Sequence, residues 1–531
     1  MKPIDPSTLF EDALERGGST RFHLDRPFAI APDGGVTYRI EELAGIVQDF
    51  AACFAGAGVR PGDRVAILKD NHWDFDLLAY GAIRLGAIPA KVRDDLAPGT
   101  VELLLKRLEP SLLVTTAARL EAASAAGSDL ASLAPRVLTL DRPARGAVPI
   151  ADVRNGATPP PHRRDDDEPL VVCLTSGTTG APKLIVHSTT TIIRRLAQFE
   201  ARRWPLLGWR PHDTVATASA FSHGRTFCWT ALALQAAPGN VVIVSNHDSA
   251  HARAVLSVHP PTILEAIPSA FVRWRPMAEA SEHPFRAVRL YVSTYDAVHP
   301  PVVRTFLGAS QRPLPIFAQV WGQTETGPLS MRLFTRRALA TRGDRHPTTR
   351  DQGRRTPGRV RLRAVDPESF RPVRRGQDGL LLARTKARGL AYLGEDERWD
   401  EKADGSWFNT GDIGRVTWTG KVIFRDREVD RARGLSCVEL EDVIEDRLPE
   451  VRECIILARP VDVPVPVVVT DDGHLDRSRW RAATCDLPPM SHPQLLTWDR
   501  LPRTGTGKVR RLELREDLLA GAATCGTGRW T

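Results

Sequence analysis

Lysine is scarce in this chain. Of 531 residues, 72 are basic, and only nine of these are lysine, so about 63 are arginine. A compact ammonium is therefore available at few positions, and arginine's broad planar fork does not replace it. Cysteine is sparse as well. The seven, at 53, 173, 228, 437, 454, 485 and 525, form no C-x-x-C pair and no Cys/His cluster. That excludes a structural zinc site and a disulfide framework, and it fits a reducing compartment. No run of 18 apolar residues exists, so no membrane span is expected. Residues 1–18 carry Asp5, Glu11, Asp12 and Glu15 and no apolar core. They do not read as a signal peptide, and the expected location is cytoplasmic. No solenoid-type repeat is present. The net charge of +8 accompanies frequent Arg, Ala and Pro. That is the mark of GC-rich coding, so no nucleic-acid partner is expected.

What is present reads as a folded, multi-domain chain. Its 42% hydrophobic and 26% charged residues are ordinary for a globular protein. At about 100–200 residues per domain, three or four folded units are expected. The first 140 residues alternate helix and strand patterns: a helix over Glu41 to Ala57, a buried strand over Arg64 to Lys69, a helix over Phe75 to Leu85. Such alternation predicts an α/β domain with a largely parallel sheet. A polar, Pro-rich stretch, 157–168, reads as a surface loop and leads into the apolar strand Pro169 to Leu174. A second α/β stretch runs from about Asp213 to Val320, with strands at Val241 to Val244 and Leu290 to Ser293. Arg336 to Arg375 is arginine-dense and reads as a solvated loop region. From Gly358 to about Phe424, short β-rich segments (Arg359 to Val365, Gly379 to Arg384, Val416 to Phe424) predict a small β subdomain. A short α/β unit of about 90 residues follows Arg425.

One loop carries chemistry by itself. Leu174 is followed by Thr175, Ser176, Gly177, Thr178, Thr179, Gly180, Ala181, Pro182 and Lys183. The glycines let successive N–H groups face one point, the hydroxyls add donors, and Lys183 adds a positive charge. This suits a polyphosphate. It is not a Walker A loop, which requires G-x-x-x-x-G-K-[ST]. Gly505-Thr-Gly507-Lys508 fails the same pattern, because Pro502 stands where the first glycine belongs.

The loop resembles the signature of the adenylate-forming superfamily, which holds acyl- and aryl-CoA ligases, peptide-synthetase adenylation domains and luciferases. Further motifs follow in that family's order. Trp321-Gly322-Gln323-Thr324-Glu325 resembles its Y-G-x-T-E, and Asn409-Thr-Gly-Asp412 its Y-x-T-G-D. Arg425, with Gly434 and Glu439-Leu-Glu441, resembles its hinge motif. Leu501 to Arg510 resembles its P-R-T-x-x-G-K-x-x-R, and Ser222-His223-Gly224 stands where a pocket histidine is usual.

The resemblance implies an α/β fold. A large N-terminal domain, residues 1–424, would hold two α/β subdomains and a small β-barrel. A small mobile α+β lid would span 425–515, and residues 516–531 would be a tail. It also implies the first reaction: a carboxylate attacks the α-phosphate of ATP with Mg²⁺, giving acyl-AMP and pyrophosphate. In that reading the 175–183 loop binds the β- and γ-phosphates and Thr324 the α-phosphate. Glu325 offers Mg²⁺ a hard oxygen. Asp412 and Arg425 hold the ribose, Trp321 stacks on adenine beside Gly322 and Gln323, and Tyr295 and Asp296 border the nucleotide. Lys508 neutralises charge building on the reacting oxygens. His223, Phe227 and Tyr295 line the substrate pocket, and Glu428 marks the hinge.

The sequence departs from the family pattern at three places. The segment after Gly434 is about two residues short, where CoA ligases line a pantetheine tunnel. Glu428 stands where Asp or Lys is usual, and Phe424 precedes Arg425 where glycine is usual. Tyr295 replaces a glycine and favours a short, flat substrate. The expected acceptor is CoA or another thiol, including a carrier protein, receiving an aryl or functionalised acyl group. The alternative is an amine, either in an amide-forming ligase or in a diazotase where an aromatic amine reacts with adenylated nitrite.

Overall fold

The computed structural model describes residues 2–153, 157–175, 181–339, 350–356, 358–428, 435–458, 463–519 and 529–530. They form two compact units, Met1–Glu265 with Lys386–Glu401, and Ala266–Thr385 with Lys402–Thr531.

The first unit is built on an eight-stranded sheet. Its spatial order is Ala391–Tyr392, Leu184–Ser188, Pro169–Leu174, Ile88–Arg93, Arg64–Lys69, Leu112–Thr115, Val137–Thr139, Val148–Pro149. The pairings are parallel except those of Leu184–Ser188, which runs antiparallel to both neighbours. Arg64–Lys69 is a strand as expected, and its unbroken apolar run reflects burial on both faces. Ile40–Gly56 and Asp74–Arg84 are helices, each shifted one residue from the expected spans. The first starts with a Glu42 carboxylate that accepts the Arg39 N–H at 2.6 Å. Leu43, Val47, Phe50 and Phe54 line its buried face at helical spacing. Three further parallel strands, Thr214–Ala218, Asn240–Ile243 and Arg21–Leu24, belong to the same unit, with Thr37–Arg39 antiparallel at their edge.

Charge is buried in this unit in an unusual amount. The helix Asp74–Arg84 is buried along its whole length, yet its first turn carries Asp74 and Asp76. Unpaired N–H groups at a helix start favour such anions. Each acid also meets one of the nine lysines. Lys69 Nζ lies 2.7 Å from Asp74 Oδ1, and Lys91 Nζ lies 2.5 Å from Asp76 Oδ1, with all four side chains essentially unexposed. His72 stands 3.6 Å from both Asp25 and Asp74. Burial penalises the Asp74 carboxylate, but Lys69 and His72 outweigh that and hold it far below the usual carboxylate range. The sequence reading assigned none of these groups a role.

In the second unit Leu290–Ser293 pairs in parallel with Ile316–Gln323. From there the strands are antiparallel, in the order Gly327–Phe334, Asp351–Arg355, Lys421–Arg427, Trp407–Val416, Gly379–Thr385, Val360–Val365. The β-rich stretch ending at Phe424 is divided by a turn. Thr417 N–H donates to Lys421 O at 2.8 Å and Gly420 N–H to Thr417 O at 3.0 Å, folding two strands into a hairpin. Beyond residue 435, the helix Cys437–Arg447 packs on a three-stranded sheet of Val451–Leu457, Val465–Thr470 and Gln494–Leu496. Two apolar clusters fill this segment. One includes Leu440, Ile444, Val468 and Trp480, the other Val467, Leu496, Leu501 and Leu514, and every member comes from residues 437–518. Among the described residues no helix is long and apolar enough to cross a membrane.

Removing one partner of a buried pair strands the other charge. Lys69→Ala is expected to lower the unfolding free energy by about 3–5 kcal/mol, read from denaturant melts. A loss under about 1 kcal/mol would show that the pair does not hold the sheet to the helix.

Candidate active site

In the second unit the strand Ile316–Gln323 ends in the Trp321-Gly322-Gln323 motif, and the chain turns through Thr324, Glu325 and Thr326 into Gly327–Phe334. Thr326 N–H closes the turn on Gln323 O at 3.2 Å. The pairing is irregular between Trp321 and Gly322, a device that re-aims side chains. A Cβ at Gly322 would stand 2.4 Å from Gly327 O, so only glycine fits this crossing. The irregularity places Trp321 and Gln323 against one acid. Trp321 Nε1–H donates to Asp412 Oδ2 at 3.0 Å, and Gln323 Nε2–H donates to the same oxygen at 3.2 Å and to Thr410 O at 2.5 Å. Asp412 is buried, and burial raises its carboxyl above the usual range, against the pull of Arg427, Trp321 and Lys508.

The hinge strand differs from expectation in a specific way. Arg425 does not face Asp412. Its Nε lies 2.9 Å from Asp378 Oδ2, and its guanidinium lies 3.6 Å from Glu439. In the ladder, Asp412 is opposite Arg427 and Gly414 is opposite Phe424, with the register shifting between. Arg425 is the extra residue of that bulge and is turned aside. Arg427 takes the place by Asp412, at 3.7 Å from Oδ1. The sequence reading passed over Arg427. Glu428, next to it, is exposed.

Lys508 completes this cluster. It ends a tight turn in which Thr504 N–H donates to Lys508 O at 2.8 Å and Gly507 N–H to Thr504 O at 2.7 Å. Lys508 N–H donates back to Thr504 Oγ1 at 3.2 Å. Gly507 has φ +78°, and a Cβ there would stand 2.0 Å from Ser269 Oγ. The missing side chain lets the turn sit on the start of the helix Pro268–Glu279. The half-buried Lys508 ammonium is thereby set in the field of Asp296, Asp412 and Glu325. Burial lowers its pKa, Arg427 adds to that, and the three carboxylates oppose it. Tyr295, beside Asp296, holds φ +84°. That is the conformation natural to the glycine it replaces, and it is sustained here at a cost.

Glu325 is buried. Among the described residues no group of three or more metal-ligating side chains exists. A single buried carboxylate suits Mg²⁺ that arrives with phosphate oxygens and water as its other ligands.

Other residues that the sequence singled out lie in the first unit. Thr175 N–H donates to Lys183 O at 3.1 Å, and Lys183 N–H donates to Thr175 Oγ1 at 3.0 Å, so the ends of the hydroxyl-rich loop are pinned together. Lys183 Nζ lies 3.5 Å from the Tyr392 hydroxyl and 4.8 Å from its ring centroid. Ser176, Gly177, Thr178, Thr179 and Gly180 lie outside the described residues, as does Gly434. His223 caps the helix Gly224–Ala236. Its Nδ1 accepts the Arg225 N–H at 3.0 Å, so in the neutral ring Nε2 carries the proton. Lys91 reaches His223 O at 3.2 Å and Thr226 Oγ1 at 3.0 Å. Arg225 grips Glu265 with two hydrogen bonds of 2.7 and 2.8 Å, and Glu200 through its other nitrogen. Phe227 is fully buried, stacked on Tyr80 with centroids 4.7 Å apart. Lys91 and Arg225 are positioning groups with no sequence motif to announce them.

Comparison with known proteins gives a consistent result. The family model described as AMP-binding enzyme matches residues 18–393. The 3-amino-2-hydroxy-4-methoxybenzoate diazotase of Streptomyces cremeus is 36% identical, over 95% of this chain and 94% of that one. The 4-chlorobenzoate–CoA ligase of Arthrobacter sp. is 26% identical, over 94% of each chain. Among solved structures, ATP-bound MatB of Rhodopseudomonas palustris shares the fold, with TM-score 0.77 and 21% identity, covering 96% of this chain and 98% of that one.

Gly507→Ala forces the turn off Ser269 and displaces Lys508. It is expected to lower ATP-dependent pyrophosphate release at least about tenfold while the unfolding midpoint falls by only a few degrees, about one large methyl clash. Unchanged release would show that the close approach of Gly507 does not position the lysine. Trp321→Phe keeps the ring and deletes the N–H to Asp412. ATP affinity by calorimetry is expected to fall about five- to twentyfold, the worth of one hydrogen bond to a charged group. An affinity equal to wild type would mean that this bond plays no part in nucleotide binding.

Proposed function

We propose that this chain, which belongs to the AMP-binding enzyme family, activates nitrite as its adenylate and passes the nitroso group to the amine of an amino-substituted aryl acid. The chain is an AMP-forming ligase, and that half of the reading is common to its relatives. The choice of nitrite and an aromatic amine rests on one observation. The relative named as a diazotase is the more similar of the two curated relatives above and extends over nearly the whole chain.

A nitrite oxygen attacks the α-phosphorus of ATP, the bond to the bridging oxygen breaks, and pyrophosphate leaves. The amine nitrogen attacks the nitroso nitrogen, the N–O bond breaks, and AMP departs with that oxygen. The N-nitrosoammonium so formed loses a proton to give a nitrosamine, which tautomerises to a diazohydroxide; protonation and loss of water leave an aryl diazonium ion.

Each residue in this proposal has a physical task. Lys183 and the 175–183 loop take the β- and γ-phosphates, and Thr324 donates to the α-phosphate. Asp412, held by Trp321 and Gln323, accepts from the ribose hydroxyls. Lys508 follows the charge that develops on the attacking and bridging oxygens, and its half-buried setting strengthens the effect. Glu325 is the residue assigned to Mg²⁺, which supplies further charge neutralisation at the phosphates. His223, with Nε2–H as donor, is assigned to the aryl carboxylate.

Transfer of an activated carboxylate to CoA or another thiol is the second reading, and the aryl–CoA ligase relative favours it. Pyrophosphate release separates the two. Nitrite is expected to support release without CoA, and aminobenzoates are expected to yield diazonium, trapped as an azo dye with a naphthol. Release that depends on a carboxylic acid and yields a CoA thioester, with none on nitrite, would overturn the first reading in favour of the second. In either case Lys508→Ala is expected to cut release at least about a hundredfold and leave ATP affinity within about threefold. Wild-type release in that variant would remove the lysine from the chemistry.

A further inference from the structure

Two apolar clusters of the segment 435–519 draw all their members from within it. What ties it to the body of the second unit is largely charge. His299 Nδ1 lies 2.7 Å from Asp442 Oδ1, and its Nε2 lies 3.7 Å from Glu445 Oε1. Arg304 Nη1 lies 2.7 Å from Asp446 Oδ1, Arg275 donates to Val451 O at 3.3 Å, and Arg350 pairs with Glu439. His299 is the N-cap residue of the helix Pro300–Ala309, and its two acidic partners, Asp442 and Glu445, lie on the helix Cys437–Arg447. All of these acids are buried except Glu439. Buried ion pairs between a segment with apolar clusters of its own and the body of the unit make electrostatics part of what docks it.

We propose that His299, Asp442 and Glu445 form a proton-dependent clamp that docks segment 435–519 in the arrangement that sets Lys508 beside Asp412. His299 is then a positioning residue for the adenylation step, acting through the segment on Lys508. This inference rests on the adenylation reading above.

The chemistry of the cluster gives the clamp its sign. One imidazole faces two acids. Charged, it donates from both nitrogens, to Asp442 and toward Glu445. Neutral, it keeps at most the Asp442 bond, and two buried acids lose the positive charge that offsets them. The other groups near the cluster do not replace that charge. Glu441 adds negative charge and is itself paired with Arg511, at 2.6 Å. Asp446 is engaged by Arg304, and Arg275 and Glu453 act on Glu445 with opposite signs. Burial alone would depress His299, but Glu445 and Asp442 push it up to about 10. Burial also pushes Glu445 up, to about 8, against the pull of His299. Oε1 of Glu445 accepts the Cys454 N–H at 2.9 Å, and Oε2 is buried.

Both groups therefore bind protons more tightly when docked. Their contribution is fully present below the undocked values, 6.5 for histidine and 4.5 for glutamate, and is lost as pH rises through about 8 and about 10. Docking weakens toward alkaline pH.

Two spin labels test this in the full chain, at Gln311→Cys and Ser478→Cys with Cys485→Ser and Cys525→Ser. At pH 7 a single narrow distance is expected, and between pH 7 and pH 10 a second, longer population should grow. His299→Gln should show the longer population already at pH 7 and no further growth with pH. In the same series kcat for pyrophosphate release should fall about tenfold in His299→Gln at pH 7, with KM for ATP changed less than about threefold. A narrow distance that persists in wild type to pH 10 would overturn the clamp. So would a variant whose distances and kcat match wild type at pH 7. If no variant, wild type included, releases pyrophosphate, the adenylation reading fails, and the distance measurement still decides whether the clamp exists.

Discussion

The second unit is organised around one ammonium kept partly out of water beside acids. Lys508 feels Asp296, Asp412 and Glu325 at once, and burial works against its charge. Such a charge has little solvent to reorganise when an oxyanion forms next to it, which is why preorganised cations in dry sites outperform the same cations in water. Much of the surrounding architecture follows from keeping it there. Gly507 removes a side chain so that the 504–508 turn can rest on Ser269. Trp321 and Gln323 hold Asp412 through a strand irregularity that only a glycine at 322 permits. The bulge opposite Ile413 and Gly414 turns Arg425 away and leaves Arg427 by Asp412.

The first unit solves a different electrostatic problem by similar means. The loop ends Thr175 and Lys183 are pinned by paired backbone and hydroxyl bonds. His223 has its tautomer set by the Arg225 N–H, and Arg225 is fixed by Glu265 and Glu200. Beneath it Lys91 joins Asp76 to the His223 carbonyl. The scarcity of lysine noted at the outset now has more content. Besides Lys183 and Lys508, Lys69 and Lys91 sit in buried pairs where a point charge is needed in a small space.

Much of the fold was legible in the chain. Strands such as Leu290–Ser293 and Pro169–Leu174 match the expected spans because a strand buried on both faces reads as a short, mostly apolar run. The Val416 to Phe424 stretch was read as one segment because Thr417, Trp418 and Thr419 are strand-compatible, while the turn is made by Gly420 at φ +78° and by the bonds of Thr417 to Gly420 and Lys421. The site was legible where motifs recur at fixed spacing: Trp321 to Glu325, Asp412 and Lys508. It was not legible where a partner is far away in sequence. Nothing in the order of residues links Lys91 to Asp76, or His299 to Asp442, and the shift from Arg425 to Arg427 depends on a bulge that local propensity does not encode.

The most direct test of the account follows one oxygen atom. If the chain adenylates an oxyanion, the atom that attacks phosphorus stays on AMP when the acceptor takes the activated group. With ¹⁸O-labelled nitrite, ATP and an aminobenzoate, AMP recovered from the reaction should carry one labelled oxygen by mass spectrometry. With a labelled carboxylic acid as the activated group, the same transfer would mark the second reading. Unlabelled AMP from both substrates, or ADP and phosphate in place of AMP and pyrophosphate, would contradict the account at its centre.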